Sequence, residues 1–222
     1  MSAPLRLVLF DVDGTLVDSQ GAITGAMTEA FTGAGLLPPP REAMLSVVGL
    51  SLDLVMRRLA PEAGGATHAA LVEGYKESYM SARQAAGAAH SPLYPGAREV
   101  LEALHAVPEY LLGVATGKSQ RGVDALVAAH GLNCFVTRQV ADHHPSKPHP
   151  SMVLTAMAET GVAPEHTVMI GDTSYDIDMG RAAGVCTIAV DWGFHPAGGL
   201  GADHIIRSFD ELTPLLAGIW KA

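Results

Sequence analysis

Three observations predict an α/β fold for this 222-residue chain, with a parallel-sheet core and an inserted α-helical domain. Short apolar runs alternate with helical periodicity from about residue 97 onward, the pattern of repeated βα units whose helices cover both faces of a parallel sheet. One further apolar run, Leu7-Val8-Leu9-Phe10, stands alone near the N-terminus, and nothing between residues 18 and 88 alternates like a strand. Three of the runs also stop at polar residues: Asp11 and Asp13, Thr116 and Gly117, and Asp172. Ligands of open parallel sheets bind outside the carboxyl ends of the strands.

The elements follow in order. Leu7 to Phe10 is continuous and branched or aromatic, as a strand buried on both faces requires. It ends in Asp11-Val12-Asp13-Gly14, where residues two apart share a face and the glycine permits an immediate bend. Asp18 and Ser19 are suited to cap a helix carrying Ile23, Met27, Ala30, Phe31 and Ala34, which ends near Gly35 and the break at Pro38 to Pro40. Leu52, Val55, Met56 and Leu59 mark a second helix, and Leu71, Tyr75, Tyr79 and Ala82 a third. Pro92, Pro95 and Gly96 close this segment, and a new helix starts at about Ala97. Beyond it, strands are expected at 111–115, 135–140, 167–170 and 187–190, with a weak one at 205–206. Helices are expected at 122–130, 151–160 and 177–183. The segment after the first strand is too long for a plain crossover and reads as a second domain on two hinges.

Composition narrows the function. The formal net charge of -9 argues against nucleic acid, whose phosphates need basic faces. No apolar run approaches the ~20 residues of a membrane span, and no signal-peptide pattern opens the chain, so a cytoplasmic protein is expected. The two cysteines, Cys134 and Cys186, lie in apolar stretches without metal-ligand spacing and read as buried thiols. His143, His144 and His149 have no further ligands at zinc-like spacing and read as a polar loop.

Four stretches carry chemistry. Asp11-Val12-Asp13-Gly14-Thr15-Leu16-Val17 places two carboxylates at the end of a buried strand, where each resists desolvation and they repel each other. Val114-Ala115-Thr116-Gly117-Lys118-Ser119 offers a hydroxyl and an unobstructed amide, neutral donors that can approach a ligand closely. Ser146-Lys147-Pro148-His149-Pro150 holds an ammonium in a stiffened turn. Ile170-Gly171-Asp172-Thr173-Ser174-Tyr175-Asp176 ends a strand in one acid and puts another in the first turn of the next helix, the end favoured for negative charge. Asp178 is off that face and is expected to be solvated, as are Lys118 and Arg121.

Taken together, these stretches resemble the four motifs of the haloacid dehalogenase (HAD) superfamily, subfamily I with a helical C1 cap, and its phosphoglycolate-phosphatase-like branch in particular. The resemblance implies a Rossmann-like core at 1–16 and 91–222 and a helical cap at 17–90. It implies a phosphatase of small phosphorylated metabolites that works through an aspartyl phosphate. Asp11 would be the nucleophile, Asp13 the general acid and base, and Thr116, the Gly117 amide and Lys147 the stabilisers of developing charge. Asp176 would orient Lys147 or the metal. Four carboxylates around a phosphate dianion outweigh one lysine, so a divalent cation is expected, and Mg²⁺ suits phosphate substrates. Its ligands would be Asp11, Asp172 and the Asp13 carbonyl. Asp13 separates the chain from the dehalogenases, which lack the second acid. Gly49 to Ser51 is the expected substrate-facing cap loop, with Ser51 equally suited to cap a helix. Lys76, the one cap lysine, reads as helix surface. Two other readings stay open: a sugar-phosphate mutase of the β-phosphoglucomutase type, although Leu52 follows Ser51 where such enzymes carry an arginine, and a phospho-accepting signalling domain. A monomer or homodimer is expected.

Overall fold

Leu7, Val8, Leu9 and Phe10 are all fully buried, as an unbroken apolar run requires when both sheet faces are covered. The computed structural model describes residues 4–220. The first strand, β1 (Arg6–Phe10), lies inside a six-stranded parallel sheet with β2 (Tyr110–Thr116), β3 (Phe135–Val140), β4 (Thr167–Gly171), β5 (Cys186–Val190) and β6 (His204–Ile206). The strand order is β3-β2-β1-β4-β5-β6. Strand alternation divides the core in two. Val8 and Phe10 face one layer with Leu101, Leu104 and Leu212, while Leu7 and Leu9 face the other with Met152, Val153 and Met179.

Of the five α-helices between β1 and β2, the first four form an insert: α1 (Gln20–Gly33), α2 (Arg41–Ser46), α3 (Leu52–Leu59) and α4 (Gly65–Ala86). They bury their own cluster, including Ile23, Met27, Phe31, Met44, Val55 and Leu71. The two chain segments entering and leaving this insert run side by side, with the Asp18 amide donating to the Pro92 carbonyl at 2.9 Å and Val17 bridged to Leu93. After β2 come the helices α6 (Gln120–His130), α7 (Ser151–Thr160), α8 (Ser174–Ala182) and α9 (Leu212–Ile219), with α5 (Ala97–His105) preceding that strand. Among the described residues, no helix is long and apolar enough to cross a membrane.

The structure departs from the sequence reading in small ways. The α2 helix was not expected, because six residues are too few to display a period. The α9 helix also escaped the pattern reading. Ser19 occupies the N-cap position of α1 without a side-chain capping bond, and the Asp18 carboxylate accepts from the Gln20 amide instead. Ser51 likewise begins α3 with no side-chain cap; its own amide donates to the Ser146 hydroxyl at 2.9 Å. Cys134 and Cys186 are free, partly buried thiols.

Candidate active site

Register brings the polar strand ends together. Phe10 lies opposite Val114 on one side and Ile170 on the other, so Asp11 to Asp13, Thr116 and Asp172 leave the sheet at nearly the same level. Gly14 makes the bend that follows, with φ +89°, and a Cβ there would lie 2.2 Å from Asp172 Oδ2. Glycine is thus needed for conformation and for room. Asp172 is fixed by the Thr15 hydroxyl at 3.0 Å and the Phe194 amide at 2.8 Å.

Strand parity puts Asp11 on the Leu7 and Leu9 face, the face covered by α7 and α8. The turn before α7 delivers Lys147, and the first turn of α8 delivers Asp176. Lys147 Nζ is 2.7 Å from Asp11 Oδ1 and 2.5 Å from Asp176 Oδ1, with its side chain fully buried. Asp176 also completes a capping box with Thr173, whose amide and hydroxyl both donate to its Oδ2. The carboxylates of Asp11, Asp172 and Asp176 each present an oxygen within 4.8 Å of the others, and all three are buried. Burial raises the Asp11 carboxyl to about 7, against the pull of Lys147. Burial, then Asp176 and Asp11, also raises Asp172 well above the ordinary range. Burial works against the Lys147 charge, but its two carboxylate partners more than reverse this and hold it above the usual lysine range.

Three buried carboxylates against one ammonium leave excess negative charge, and among the described residues no cationic side chain pairs with Asp172. Hard oxygen donors in charge excess suit a hard divalent cation. Two histidines of the neighbouring loop are engaged elsewhere: His144 bonds to Ser151 Oγ and Gln139 Oε1, each at 2.8 Å, and His149 Nδ1 accepts from the Ser151 amide at 3.2 Å.

Asp13 shares this rim but turns its side chain to Lys118. The ammonium lies 2.9 Å from Asp13 Oδ1 and 2.8 Å from Oδ2, and donates to the Tyr79 hydroxyl of α4 at 3.2 Å. This corrects the expectation of a solvated Lys118, whose side chain is only 10% exposed. Proximity to Asp13 was invisible in the sequence because the two residues are 105 positions apart. Arg121 is exposed, as expected, and Asp178 pairs with Arg181 at the surface. Lys76 is exposed and paired with Glu73 at 2.7 Å.

Thr116 is buried at the end of β2, its hydroxyl accepting from the Lys118 amide at 3.2 Å. Ser119, not Thr116, caps α6. Gly117 touches the helical insert: a Cβ there would meet the Gly49 carbonyl oxygen at 2.5 Å. The Gly49 to Ser51 loop therefore sits directly over the strand ends. Between the sheet rim and the insert lies a cavity of about 460 Å³, bordered by Asp11, Asp13, Thr116 and Lys118 on one side and by Gly49, Ser51 and α4 on the other. Beyond Lys118, the sequence reading assigned no role to Thr15 or to the Phe194 amide; an isolated hydroxyl and a loop amide carry no signal until the fold brings them to Asp172.

Residues 8–190 match the model of the haloacid dehalogenase-like hydrolase family. The "Probable phosphatase IndB" of Dickeya dadantii (strain 3937) is 34% identical over 93% of this chain and 91% of its own length. A phosphoglycolate phosphatase of Chromobacterium violaceum is 33% identical over 96% of each chain. The fold is shared with the crystal structure of a predicted phosphoglycolate phosphatase from Haemophilus somnus 129pt, at TM-score 0.83 and 23% identity over 95% of this chain and 97% of that one. With acids, hydroxyl and ammonium converging at one sheet rim and the family match spanning all four motifs, the chain belongs to the haloacid dehalogenase-like hydrolases.

Proposed function

We propose that this hydrolase is a Mg²⁺-dependent phosphatase that cleaves small phosphate monoesters through an aspartyl-phosphate intermediate, with phosphoglycolate phosphatases among its relatives. The core would comprise 1–16 and 91–222 and the cap 17–90. The observation that carries the reading is the buried Asp11, Asp172 and Asp176 trio, in which one ammonium pairs with Asp11 and Asp176 alone, next to a further acid, Asp13, held by another ammonium. Asp11, Asp172 and the Asp13 carbonyl would hold the ion. When bound, it supplies positive charge to the phosphoryl group and to the acids around it.

The chain's own residues divide the chemistry. An Asp11 carboxylate oxygen attacks phosphorus, and the bond from phosphorus to the ester oxygen breaks. Asp13 gives its proton to that oxygen, releasing the alcohol. Asp13 then takes a proton from water as the water oxygen attacks phosphorus, which frees phosphate and restores Asp11. Thr116, the Gly117 amide and Lys147 steady the charge on the phosphoryl oxygens, and Asp176 orients Lys147. Neither alternative is favoured by the site: Leu52 stands where a mutase would need a cap arginine, and Asp13 would speed loss of the phosphoryl group from a signalling domain.

A panel of phosphate monoesters assayed with Mg²⁺ and with EDTA tests the reading, with Asp11→Asn as the control. Turnover is expected with Mg²⁺ alone and is lost in Asp11→Asn without loss of fold. Near-normal turnover by that variant, or by the protein in EDTA, would refute it.

A further inference from the structure

Asp172 is held at both carboxylate oxygens, and one of the two holders belongs to a loop that also grips the helical insert. Oδ1 accepts from the Thr15 hydroxyl, and Oδ2 accepts from the Phe194 amide at 2.8 Å. The loop after β5 lies flat against the acid: a Cβ on Gly193 would stand 2.1 Å from the Asp172 Cβ. Trp192 ties the start of this loop to the Thr15 carbonyl at 3.1 Å. Its next two residues rest on the insert. The Phe194 ring packs against the insert's apolar cluster. His195 bridges the two parts of the molecule, its Nδ1 accepting from the Ser174 amide of α8 and its Nε2 donating to the Ser46 carbonyl of α2, each at 3.2 Å. Ser46 is the last residue of α2, where carbonyls have no partner within the helix. The same carbonyl accepts from the Tyr175 hydroxyl of α8 at 3.1 Å. Arg58 of α3 completes the joint, donating to that hydroxyl at 2.8 Å with its guanidinium 5.6 Å from the centre of the Tyr175 ring.

Three consecutive residues thus touch a buried acid at one end and the insert at the other. When the insert is docked, Ser46 and the apolar cluster hold His195 and Phe194 in place, and the Phe194 amide points at Asp172 Oδ2. When it lifts away, both holds are released together, and the amide is free to turn from the carboxylate. Groups that orient a metal-binding side chain contribute to the affinity almost as its ligands do. A coupling of this kind is reciprocal: if docking favours the ion, the ion favours docking by the same factor.

We infer that His195 is a positioning residue through which docking of the insert and binding of the divalent cation at Asp172 support each other, the Phe194 amide being the link. The inference rests on the metal site of the phosphatase reading above and goes beyond it. Titration calorimetry with Mg²⁺ on the whole chain tests it, with Asp172→Asn as the control that places the ion. His195→Ala should weaken Mg²⁺ binding by about five- to tenfold, the low end for a group one step removed from the ligand. Arg58→Met alters only the insert side of the joint and should weaken it by about two- to fivefold, the ratio for an exposed cation–π contact. Hydrogen exchange reads the reverse direction: Mg²⁺ should slow the amides of α2 and α3 in the wild-type protein, and less so in both variants. Melting curves check that each variant folds; if His195→Ala does not, Arg58→Met decides alone. Mg²⁺ affinity unchanged in the folded variants, or α2 and α3 amides that exchange equally with and without Mg²⁺, overturns the inference and leaves the phosphatase reading standing. No Mg²⁺ binding by the wild-type protein, or binding unaltered in Asp172→Asn, overturns both.

Discussion

Replacing Lys147 by Met tests whether the buried acids are as interdependent as their geometry implies. Lys147 Nζ bonds Asp11 at 2.7 Å and Asp176 at 2.5 Å, and neither side chain of the second pair is exposed at all. Methionine fills a similar length of the site but removes the one ammonium among three carboxylates that lie within 4.8 Å. Removing one partner of a buried ion pair costs about 3–5 kcal/mol, a large part of the roughly 5–15 kcal/mol that holds a domain together. Protonation softens the loss at low pH. Asp11 already sits at about 7 through burial, despite Lys147 beside it, and without the lysine it holds its proton more tightly still. A carboxyl raised in the folded state contributes stability below its unfolded value, and that contribution is lost as pH rises through the folded value. The deficit of Lys147→Met in EDTA should therefore be small near pH 5 and reach about 3–5 kcal/mol at pH 8. Mg²⁺ should restore part of it, because the variant site carries one more unbalanced negative charge, while turnover stays abolished. Urea unfolding at both pH values, with and without Mg²⁺ and with the m-value checked for constancy, measures this. A loss below about 1 kcal/mol at pH 8, or an equal loss at both pH values, would refute the reasoning.

Three further outcomes follow from the same geometry. The wild-type protein in EDTA should lose stability as pH rises from about 4 to about 7, because the upward shift of Asp11 from 3.8 to about 7 is worth about 4 kcal/mol; thermal melts in EDTA that are flat across this range would contradict it, and Mg²⁺ should reverse the trend. Lys118→Met releases the Asp13 carboxylate from its two-point contact, so kcat on alkyl phosphates should drop by roughly 10²-fold, within the range for misplacing a general acid. The drop should be smaller on p-nitrophenyl phosphate, whose leaving oxygen needs no proton, and equal losses on both would argue against a positioning role. Gly117→Ala forces a methyl group to within 2.5 Å of the Gly49 carbonyl, which should cost about 1–3 kcal/mol of stability and raise KM by displacing the Gly49 to Ser51 loop. A wild-type melting temperature with unchanged KM would count against the close approach.

Much of this was legible in the chain. The strands and most helices followed from period and punctuation, and the acids at the strand ends followed from their place in the pattern. Lys147 could be picked out beforehand because it stands in a proline-stiffened turn and because a carboxylate cluster demands a cation. Lys118 could not. Next to a glycine and ahead of a helix, it has the local appearance of any solvated lysine, and only the packing of α4 and β1 around it creates its pairing with Asp13 and Tyr79.

What the amino-acid order determined alone is the inventory and the level: which side chains stand at the carboxyl ends of strands, since backbone periodicity is local and survives without tertiary contacts. Which carboxylate meets which ammonium was decided only on folding. Asp11 and Asp13 are two residues apart and look equivalent in a strand pattern, yet Asp11 goes to Lys147 and Asp13 to Lys118. That division depends on where the chain bends at Gly14, on the register of β1 between its two neighbours, and on an insert that closes the space above them.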